Sequence, residues 1–318
     1  NLCLLMDTVI VTGGTGLVGS AIKNVYQKNY KNYKFYFLSS KDCDLTNFEE
    51  TKKLFQKIKP NYVIHLAANV GGLFKNLQQK VQMYEDNTLI NLNVLKCCHI
   101  LKVKKCVSCL STCIFPDKTS YPINESMLHN GPPHSSNDAY AYAKRMLEIH
   151  SKAYNEQYND NFVCIIPTNI YGPYDNYNLQ DSHVIPGLIH KCYLAKKENK
   201  SFYVWGSGKP LRQFIFSEDL AELILWTLFE IDEKESIILS VKEEKSIKEV
   251  AEIIAKEFDC KIEFDTDKSD GQYKKTADNS KFVDLYAKSK GEYKFTDINV
   301  GIKKTIEWFK KNYDTCRK

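Results

Sequence analysis

The sequence lacks several features that mark membrane, secreted and nucleic-acid-binding proteins. It has no run approaching about 18 apolar residues, so we expect no transmembrane helix. The apolar stretch LCLLM at 2–6 is very short and follows no basic segment, so we expect no secretion signal. The net charge is only +5, from 44 basic and 39 acidic residues, which favours a small anionic ligand over nucleic acid.

The cysteines show no regular spacing, and their number, 11, is odd. This pattern is not typical of a disulfide framework or a zinc site, so we expect reduced thiols in a cytoplasmic protein and no bound metal. Cys106 and Cys109 are expected to be core residues. The 318 residues are enough for about two domains, and the apolar content of 43% and charged content of 26% are ordinary for a soluble globular protein.

Strand and helix patterns alternate through the first half of the chain. Strands are predicted at the start of 8–22 and within 33–39, 62–68, 104–111 and 162–168. Helices are predicted at 46–60, at about 78–100 and at 138–158. Thr46 is the expected N-cap of the first of these helices. The alternation predicts an α/β fold of the Rossmann type, with a doubly wound parallel sheet.

The second half has a looser pattern. A strand at 235–241 is expected to return to the sheet, and 246–258 and 300–313 read as amphipathic helices. We therefore predict a cofactor-binding domain at 1–172, with a returning segment near 214–241, and a smaller C-terminal α/β substrate domain. The substrate domain is assigned residues 173–213 and 242–318.

Three glycines follow the first predicted strand. Gly13, Gly16 and Gly19 form G-x-x-G-x-x-G between that strand and a helix. Such a turn lets the backbone approach a pyrophosphate, which then lies at the helix N-terminus. The position of the motif in the first βα turn predicts a dinucleotide cofactor.

The end of the second strand bears on the choice of dinucleotide. A site for NAD usually carries an acidic residue there, which binds the ribose 2′-hydroxyl. Here the segment is LSSKD at 38–42, and Lys41 comes before any acid, which favours NADP. Asp44 is positioned to bind the adenine amino group, while Asp42 keeps NAD possible.

Tyr140 and Lys144 share one face of the predicted helix 138–158. An ammonium beside a phenol favours the phenolate, so Lys144 is expected to lower the pKa of Tyr140 and suit it to proton transfer. Ser111 ends the fourth strand, 29 residues before the tyrosine. With these residues in place, the chain resembles the extended short-chain dehydrogenases/reductases, which act mostly on nucleotide sugars.

Within that group the chain resembles the GDP-L-fucose synthase family, from about residue 8 onward. The resemblance is densest in SCLSTCIFPDK (108–118), PTNIYGP (167–173), SHVIPGLIHK (182–191) and VWGSGKPLRQF (204–214). It implies NADPH-dependent conversion of GDP-4-keto-6-deoxy-D-mannose to GDP-L-fucose, by 3,5-epimerisation and C4 reduction. Cys113 is implied as the epimerisation base and His183 as the acid.

The resemblance also implies the remaining site residues and a homodimer. Ser111, Tyr140 and Lys144 would carry the reduction, and Tyr140, Lys144 and His183 would also contact the cofactor. The implied substrate contacts are Asn169, Lys191, Trp205, Arg212, Asp270 and Lys274. The helices at about 78–100 and 138–158 would pair with their copies.

Other readings of the same residues stay open. Cys113 could be a small buried core residue, His183 a structural histidine, and any lysine of 268–275 a solvated charge. One alternative function is a UDP-sugar 4-epimerase with tightly held NAD, which needs no Cys/His pair. Another is a non-catalytic NADP-sensing protein, which would not need the tyrosine.

Overall fold

The computed structural model describes residues 6–267 and 275–318, and its centre is a parallel sheet. The strands are β1 Thr8–Thr12, β2 Lys34–Leu38, β3 Tyr62–His65, β4 Lys105–Cys109, β5 Phe162–Pro167, β6 Asn169–Tyr171, β7 Phe202–Trp205, β8 Leu211–Arg212, β9 Phe214–Phe216, β10 Ile237–Leu239, β11 Lys245–Ser246 and β12 Ile262–Asp265. The helices are α1 Leu17–Asn29, α2 Phe48–Ile58, α3 Leu73–Gln78, α4 Lys80–Ile100, α5 Asp138–Tyr158, α6 Val184–Lys197, α7 Ser217–Phe229, α8 Ile247–Phe258, α9 Ser280–Lys290 and α10 Ile298–Lys311.

Six strands of this sheet run in the order β2-β1-β3-β4-β5-β10, and every pair is parallel. The predicted α/β fold with a doubly wound parallel sheet is confirmed. The chain changes winding direction between β1 and β3, and a crevice opens at the carboxyl ends of strands at such a switch point. The predicted return of the segment around β10 is also confirmed, because Ile237 lies beside Ile165 of β5.

Both faces of the sheet are covered, which explains the nearly continuous apolar strands. On β1, Ile10 packs into a core with residues of α4 and α5, whereas Val9 and Val11 pack into a second core with α1 and α7. Because side chains alternate along a strand, one short apolar run supplies both cores. Helices on the two faces therefore hold the strand ends in fixed positions.

A third core lies outside the sheet. It joins Tyr171, Ile189, Phe202, Ile254 and Phe309, from β6, α6, β7, α8 and α10. Strand β12 pairs with β7, and Ser246 starts α8 with a capping box in which it accepts a bond from the Glu249 amide. This body draws mainly on residues assigned to the substrate domain; the exact boundaries stay a prediction.

One local prediction differs from the structure. The N-cap of α2 is Asn47 rather than Thr46, because the Asn47 side chain accepts the Glu50 amide while the Thr46 hydroxyl donates to Asp44. The helix predicted at about 78–100 is confirmed as α4, and the separate short helix α3 precedes it. Helix α5 has the predicted bounds.

The cysteines in the described ranges are free thiols. Cys106 and Cys109 have C-x-x-C spacing on β4, but the strand turns them toward opposite cores. Cys106 is buried as expected, and Cys109 is partly exposed. Among the helices of the described ranges, none is both long and apolar enough to cross a membrane.

Candidate active site

The glycine turn after β1 is packed so closely that side chains are excluded. Gly13 has φ +67°, and a Cβ there would lie 2.9 Å from the Ala67 amide nitrogen. A Cβ on Gly19 would lie 2.5 Å from the Gly13 carbonyl oxygen. Gly14, which is not part of the predicted motif, must also be glycine, because a Cβ there would lie 2.7 Å from Phe37 Cα. These contacts bring α1 and the strand ends together.

Gly16 differs from the other glycines, since a Cβ there would make only an ordinary contact of 3.4 Å with Gly13. It is the N-cap of α1, with no side-chain cap, and the first turn of the helix contains no acidic residue. Uncapped amides at a helix N-terminus attract anions. The turn therefore fits a dinucleotide pyrophosphate, and Gly16 leaves room for it.

The carboxylates after β2 are engaged in local turns. Asp42 Oδ2 accepts bonds from the Ser39 amide and hydroxyl, both at 2.7 Å, and these bonds lower the pKa of Asp42. Asp44 Oδ1 accepts from the Thr46 amide and hydroxyl at 2.9 and 2.7 Å. Lys41 is exposed beside them. Because the Asp42 carboxylate already accepts two hydrogen bonds from Ser39, the end of β2 fits a ribose 2′-phosphate better than a 2′-hydroxyl.

The structure brings four predicted catalytic residues together at the end of β4. Ser111 caps a short 3₁₀ turn at Thr112–Ile114, and its hydroxyl accepts from the Cys113 amide at 3.4 Å. Lys144 Nζ donates to the Cys109 carbonyl at 2.9 Å and lies 6.0 Å from the centre of the Tyr140 ring. Ser111 therefore lies just beyond β4, not within it.

The predicted effect of Lys144 on Tyr140 is wrong. Burial raises the pKa of Tyr140 well above its ordinary value, and the thiols of Cys113 and Cys109 add to the rise. Burial also lowers the pKa of Lys144, whose ammonium is held by the Cys109 carbonyl. Desolvation outweighs the ammonium in this cleft, so Tyr140 keeps its proton.

Cys113 is half-buried beside these groups. Burial raises the pKa of its thiol, while the Ser111 hydroxyl, Lys275 and Lys144 oppose the rise. Lys275 in turn interacts electrostatically with Cys113, Arg212 and Asp117. The thiol thus lies near Ser111, Tyr140 and Lys144 and near a cluster of basic side chains. A cysteine that only filled space in the core would not need such neighbours.

His183 stands apart from this group, as the exposed N-cap of α6. Its carbonyl accepts the Gly187 amide at 3.0 Å, which starts the helix. Its imidazole interacts electrostatically with Asp175, a buried carboxylate that the sequence did not single out. Asp175 could have been noticed only as an acid within the polar run between β6 and α6.

Lys191 and Trp205, from α6 and β7, form a pair. Lys191 Nζ lies 4.1 Å above the Trp205 ring, and burial lowers the pKa of this lysine. Arg212 is half-buried, and burial lowers its pKa while Tyr121 opposes this. Trp205 has 63% of its surface exposed, so it offers a face to a ligand.

Asn169 and Gln213 join β6 to β9. Asn169 Nδ2 donates to the Gln213 carbonyl at 2.9 Å. The buried Gln213 side chain donates to the carbonyls of Val241 and Ala277 at 2.8 and 3.1 Å and accepts from the Ala277 amide at 2.8 Å. Gln213 therefore fixes the segment that carries Lys275. The signal for Gln213 in the sequence is only that of a polar residue between Arg212 and the apolar β9.

Two predicted substrate residues, Asp270 and Lys274, lie outside the described residues, as does Lys268. They stay predictions.

Comparison with known proteins supplies the family. Residues 9–240 match the NAD dependent epimerase/dehydratase family. The chain is 56% identical to GDP-L-fucose synthase of Dictyostelium discoideum, over 98% of each protein. The chain belongs to the GDP-L-fucose synthase family. It is also 49% identical to the probable GDP-L-fucose synthase of Drosophila melanogaster, over 98% of this chain and 100% of that protein.

A solved structure agrees with this assignment. The chain is similar to a GDP-L-fucose synthetase from Naegleria fowleri bound to NADP, with a TM-score of 0.94 and 50% identity. The match covers 98% of this chain and 95% of that one. Because this GDP-L-fucose synthase relative binds NADP, it agrees with the preference read from the end of β2.

Proposed function

We propose that this chain converts GDP-4-keto-6-deoxy-D-mannose to GDP-L-fucose, by 3,5-epimerisation followed by NADPH-dependent reduction at C4. The observation that carries the proposal is the Cys113 thiol beside a complete Ser111, Tyr140 and Lys144 set, in a chain that belongs to the GDP-L-fucose synthase family. A simple 4-epimerase would not need the thiol. A non-catalytic NADP-sensing protein would not need the half-buried tyrosine and the buried lysine.

NADPH, once bound, supplies the hydride for C4. Its pyrophosphate would lie on the turn of Gly13, Gly16 and Gly19, and Lys41 and Asp44 would hold its adenosine end. Tyr140 and Lys144, on α5 beside the end of β4, would contact its nicotinamide end, together with His183.

Epimerisation requires proton removal and return at C3 and C5, both acidified by the C4 ketone. Cys113 would act as the base and His183 as the acid. The nearby Ser111 hydroxyl and the Lys275 and Lys144 ammonium groups favour the thiolate against the cost of burial. Acid–base assistance of this kind is worth about 10²- to 10⁴-fold.

Reduction requires a proton for the C4 oxygen. Because burial keeps Tyr140 protonated, its phenol can donate that proton. Lys144, held 6.0 Å from the ring by the Cys109 carbonyl, would stabilise the tyrosinate that remains. The Ser111 hydroxyl would hydrogen-bond the same sugar oxygen.

The diphosphate would be held by two groups of basic side chains. Arg212 and Lys275 interact with each other electrostatically, and Lys191 lies over the Trp205 ring. Asn169, fixed to Gln213, would contact the sugar, and Asp270 and Lys274 would complete the site. Burial lowers the pKa of Lys191 and Lys275, so a bound anion would compensate for their desolvation.

A second copy of the chain is the proposed partner. Helices α4 and α5 pack side by side, and each exposes large apolar residues on its outer surface. They include Val81, Leu89 and Leu92 on α4 and Tyr142, Met146 and Ile149 on α5. An apolar surface on two neighbouring helices is typical of an interface, so we propose a homodimer through this surface. The free thiols of the described residues support a cytoplasmic location.

One assay tests the proposed activity. The purified protein is mixed with GDP-4-keto-6-deoxymannose and NADPH, cofactor oxidation is followed, and the product sugar is identified. The proposal predicts oxidation and GDP-L-fucose. Interconversion of UDP-glucose and UDP-galactose without added cofactor would instead support the 4-epimerase. An inert protein that still binds NADP would support the sensing role.

A further inference from the structure

The loop between β6 and α6, which carries His183, is tied to the loop after β3. Asp181 lies two residues before His183, and its Oδ1 accepts a hydrogen bond from the Gly72 amide. Gly72 is the residue before α3, whereas α6 packs into the third core with β7 and α8. The bond therefore joins a loop of the central sheet to the part of the chain that presents the proposed proton donor.

The β6–α6 loop fixes the backbone of Asp181 on its own side. Asn178 Oδ1 accepts the Asp181 amide at 3.1 Å, and Asn176 Nδ2 donates to the Asp181 carbonyl at 3.3 Å. The Asn178 carbonyl accepts the Ser182 amide at 2.9 Å. Because Ser182 alone separates Asp181 from His183, a change in the position of Asp181 also moves the start of α6.

The loop after β3 holds Gly72 against Asp181. Asn76 Nδ2 donates to the carbonyls of Gly71 and Gly72 at 2.7 and 2.9 Å, which fixes the turn before α3. A Cβ on Gly72 would lie 2.5 Å from Asp181 Oδ1 and 3.1 Å from its Cα. The two loops are therefore in direct contact, and any side chain at position 72 would displace Asp181.

The loop after β3 also reaches the glycine turn. The Ala67 amide nitrogen lies 2.9 Å from the place that a Cβ on Gly13 would occupy. Farther along, the Asn69 amide donates to Asn87 Oδ1 at 2.9 Å, and Asn87 Nδ2 donates back to the Asn69 carbonyl at 2.9 Å. Residues 67–72 thus run from the turn proposed for the cofactor pyrophosphate to the loop between β6 and α6.

We propose that Asp181 is a positioning residue: by accepting the Gly72 amide, its carboxylate holds His183 at the edge of the cofactor crevice, within reach of the sugar. The inference rests on the proposed function, in which His183 is the acid of the epimerisation. In that step an N–H bond of His183 breaks as a C–H bond forms at the enolate carbon, which leaves the imidazole neutral and restores the C4 ketone. A displacement of about 1 Å can cost about 10²-fold in rate, so a bond that sets the position of the loop also sets the rate.

Two substitutions of Asp181 separate the hydrogen bond from the charge. Asp181→Ala removes the acceptor, so solvent-proton exchange at C3 and C5 should fall about 10- to 100-fold, while NADPH affinity stays the same. Asp181→Asn keeps an oxygen that accepts the Gly72 amide, so most of the exchange should remain. Gln180→Ala, at the exposed neighbouring position, is the control and should exchange like the wild type. Exchange in Asp181→Ala equal to the control, or an equal loss in Asp181→Asn, would overturn the inference.

A double-mutant cycle tests whether Asp181 acts through His183. If it does, Asp181→Ala should lower the exchange rate no further once His183→Gln has removed the acid. The same loss in both backgrounds would show that the substitution disturbs the fold or substrate binding in general, and it would overturn the inference.

Gly72→Ala reaches the same contact from the other loop and covers the case in which Asp181→Ala does not fold. Its added methyl group would push the Asp181 carboxylate away, so exchange at C3 and C5 should again fall about 10- to 100-fold. Wild-type exchange in folded Gly72→Ala would overturn the inference.

Hydrogen exchange of the Gly72 amide, followed by NMR, reports the bond without turnover. The amide should exchange faster in Asp181→Ala than in the wild type and in Asp181→Asn. The expected change in a protein that does not convert the sugar would count against the proposed activity alone. An unchanged amide rate in an active enzyme would count against the inference alone.

Discussion

At the scale of single residues, the chemistry depends on which side chains lose water. Tyr140 is poised as an acid because burial holds its proton, and Lys144 is held by a backbone carbonyl instead of lowering the tyrosine's pKa. Sequence spacing correctly placed these two residues on one helical face but gave the wrong sign for the pKa. Spacing records neighbours along a helix, whereas desolvation depends on everything packed around the ring.

Replacement of Cys113 is the first prediction at this scale. Cys113→Ser keeps the size of the side chain but replaces the thiol with a hydroxyl, which is a far weaker acid, so exchange of the C3 and C5 protons should fall about 10²- to 10⁴-fold. Deuterium incorporation into the substrate, followed by NMR, measures this, and NADPH binding should be unchanged. Cys260→Ser, at a thiol packed against the third core, serves as the control. Equal exchange in Cys113→Ser and wild type would refute the role of the thiol.

At the scale of elements, short-range sequence patterns predicted the helices and strands correctly in several places. The bounds of α5 and the return of β10 to the sheet follow from local apolar patterns and were predicted. The N-cap at Asn47 was missed by one residue, because Thr46 and Asn47 can both cap and only the backbone decides. Asp175 and Gln213 were missed for a different reason: their partners are brought together by the fold.

The buried Gln213 side chain leads to a prediction about stability. Gln213→Leu would leave the carbonyls of Val241 and Ala277 and the Ala277 amide without their partner in a buried setting. Each unsatisfied group costs about 1–3 kcal/mol, so the free energy of unfolding should fall by about 3 kcal/mol or more. Urea denaturation measures this loss.

The control for Gln213 is Gln56→Leu at an exposed position of α2, which should change the free energy of unfolding little. Affinity for the GDP-sugar should also weaken in Gln213→Leu. Gln213 holds the backbone of Ala277, two residues after Lys275, and Lys275 is a proposed diphosphate contact. A stability loss no greater than that of Gln56→Leu would contradict the assigned role.

His65 carries a prediction about pH. It is fully buried between Thr12 Oγ1, 2.8 Å from Nδ1, and Asn91 Oδ1, 2.9 Å from Nε2, and burial lowers its pKa to about 3. Between about pH 3 and about pH 6.5, His65 binds a proton in the unfolded chain but stays neutral in the folded chain. The free energy of unfolding therefore falls as the pH falls, by about 1.4 kcal/mol per unit from this residue.

The variant His65→Asn isolates this contribution. Urea midpoints from pH 6.5 to 5 should show a shallower pH dependence in the variant than in the wild type. Asp175, whose raised pKa acts in the opposite direction, is present in both proteins and cancels in the comparison. Identical slopes would show that His65 titrates normally in the folded state.

At the scale of the whole molecule, the apolar outer surface of α4 and α5 predicts self-association. Met146→Glu puts a charge on that surface, where 42% of the methionine is exposed, and should yield a monomer while the wild type is a dimer. Sedimentation velocity at micromolar concentration measures the change. Val283→Glu introduces the same charge at an exposed apolar position on α9 and should leave the dimer intact. A monomeric wild type would exclude this interface.

The most direct test of the two-step reaction is one turnover experiment in D₂O. The purified enzyme, GDP-4-keto-6-deoxymannose and NADPH are allowed to react, and the product sugar is analysed by NMR and mass spectrometry. The account predicts GDP-L-fucose with solvent deuterium at both C3 and C5 and one NADPH consumed per sugar. A reduced sugar that retains its original configuration and carries no deuterium at those carbons would contradict it.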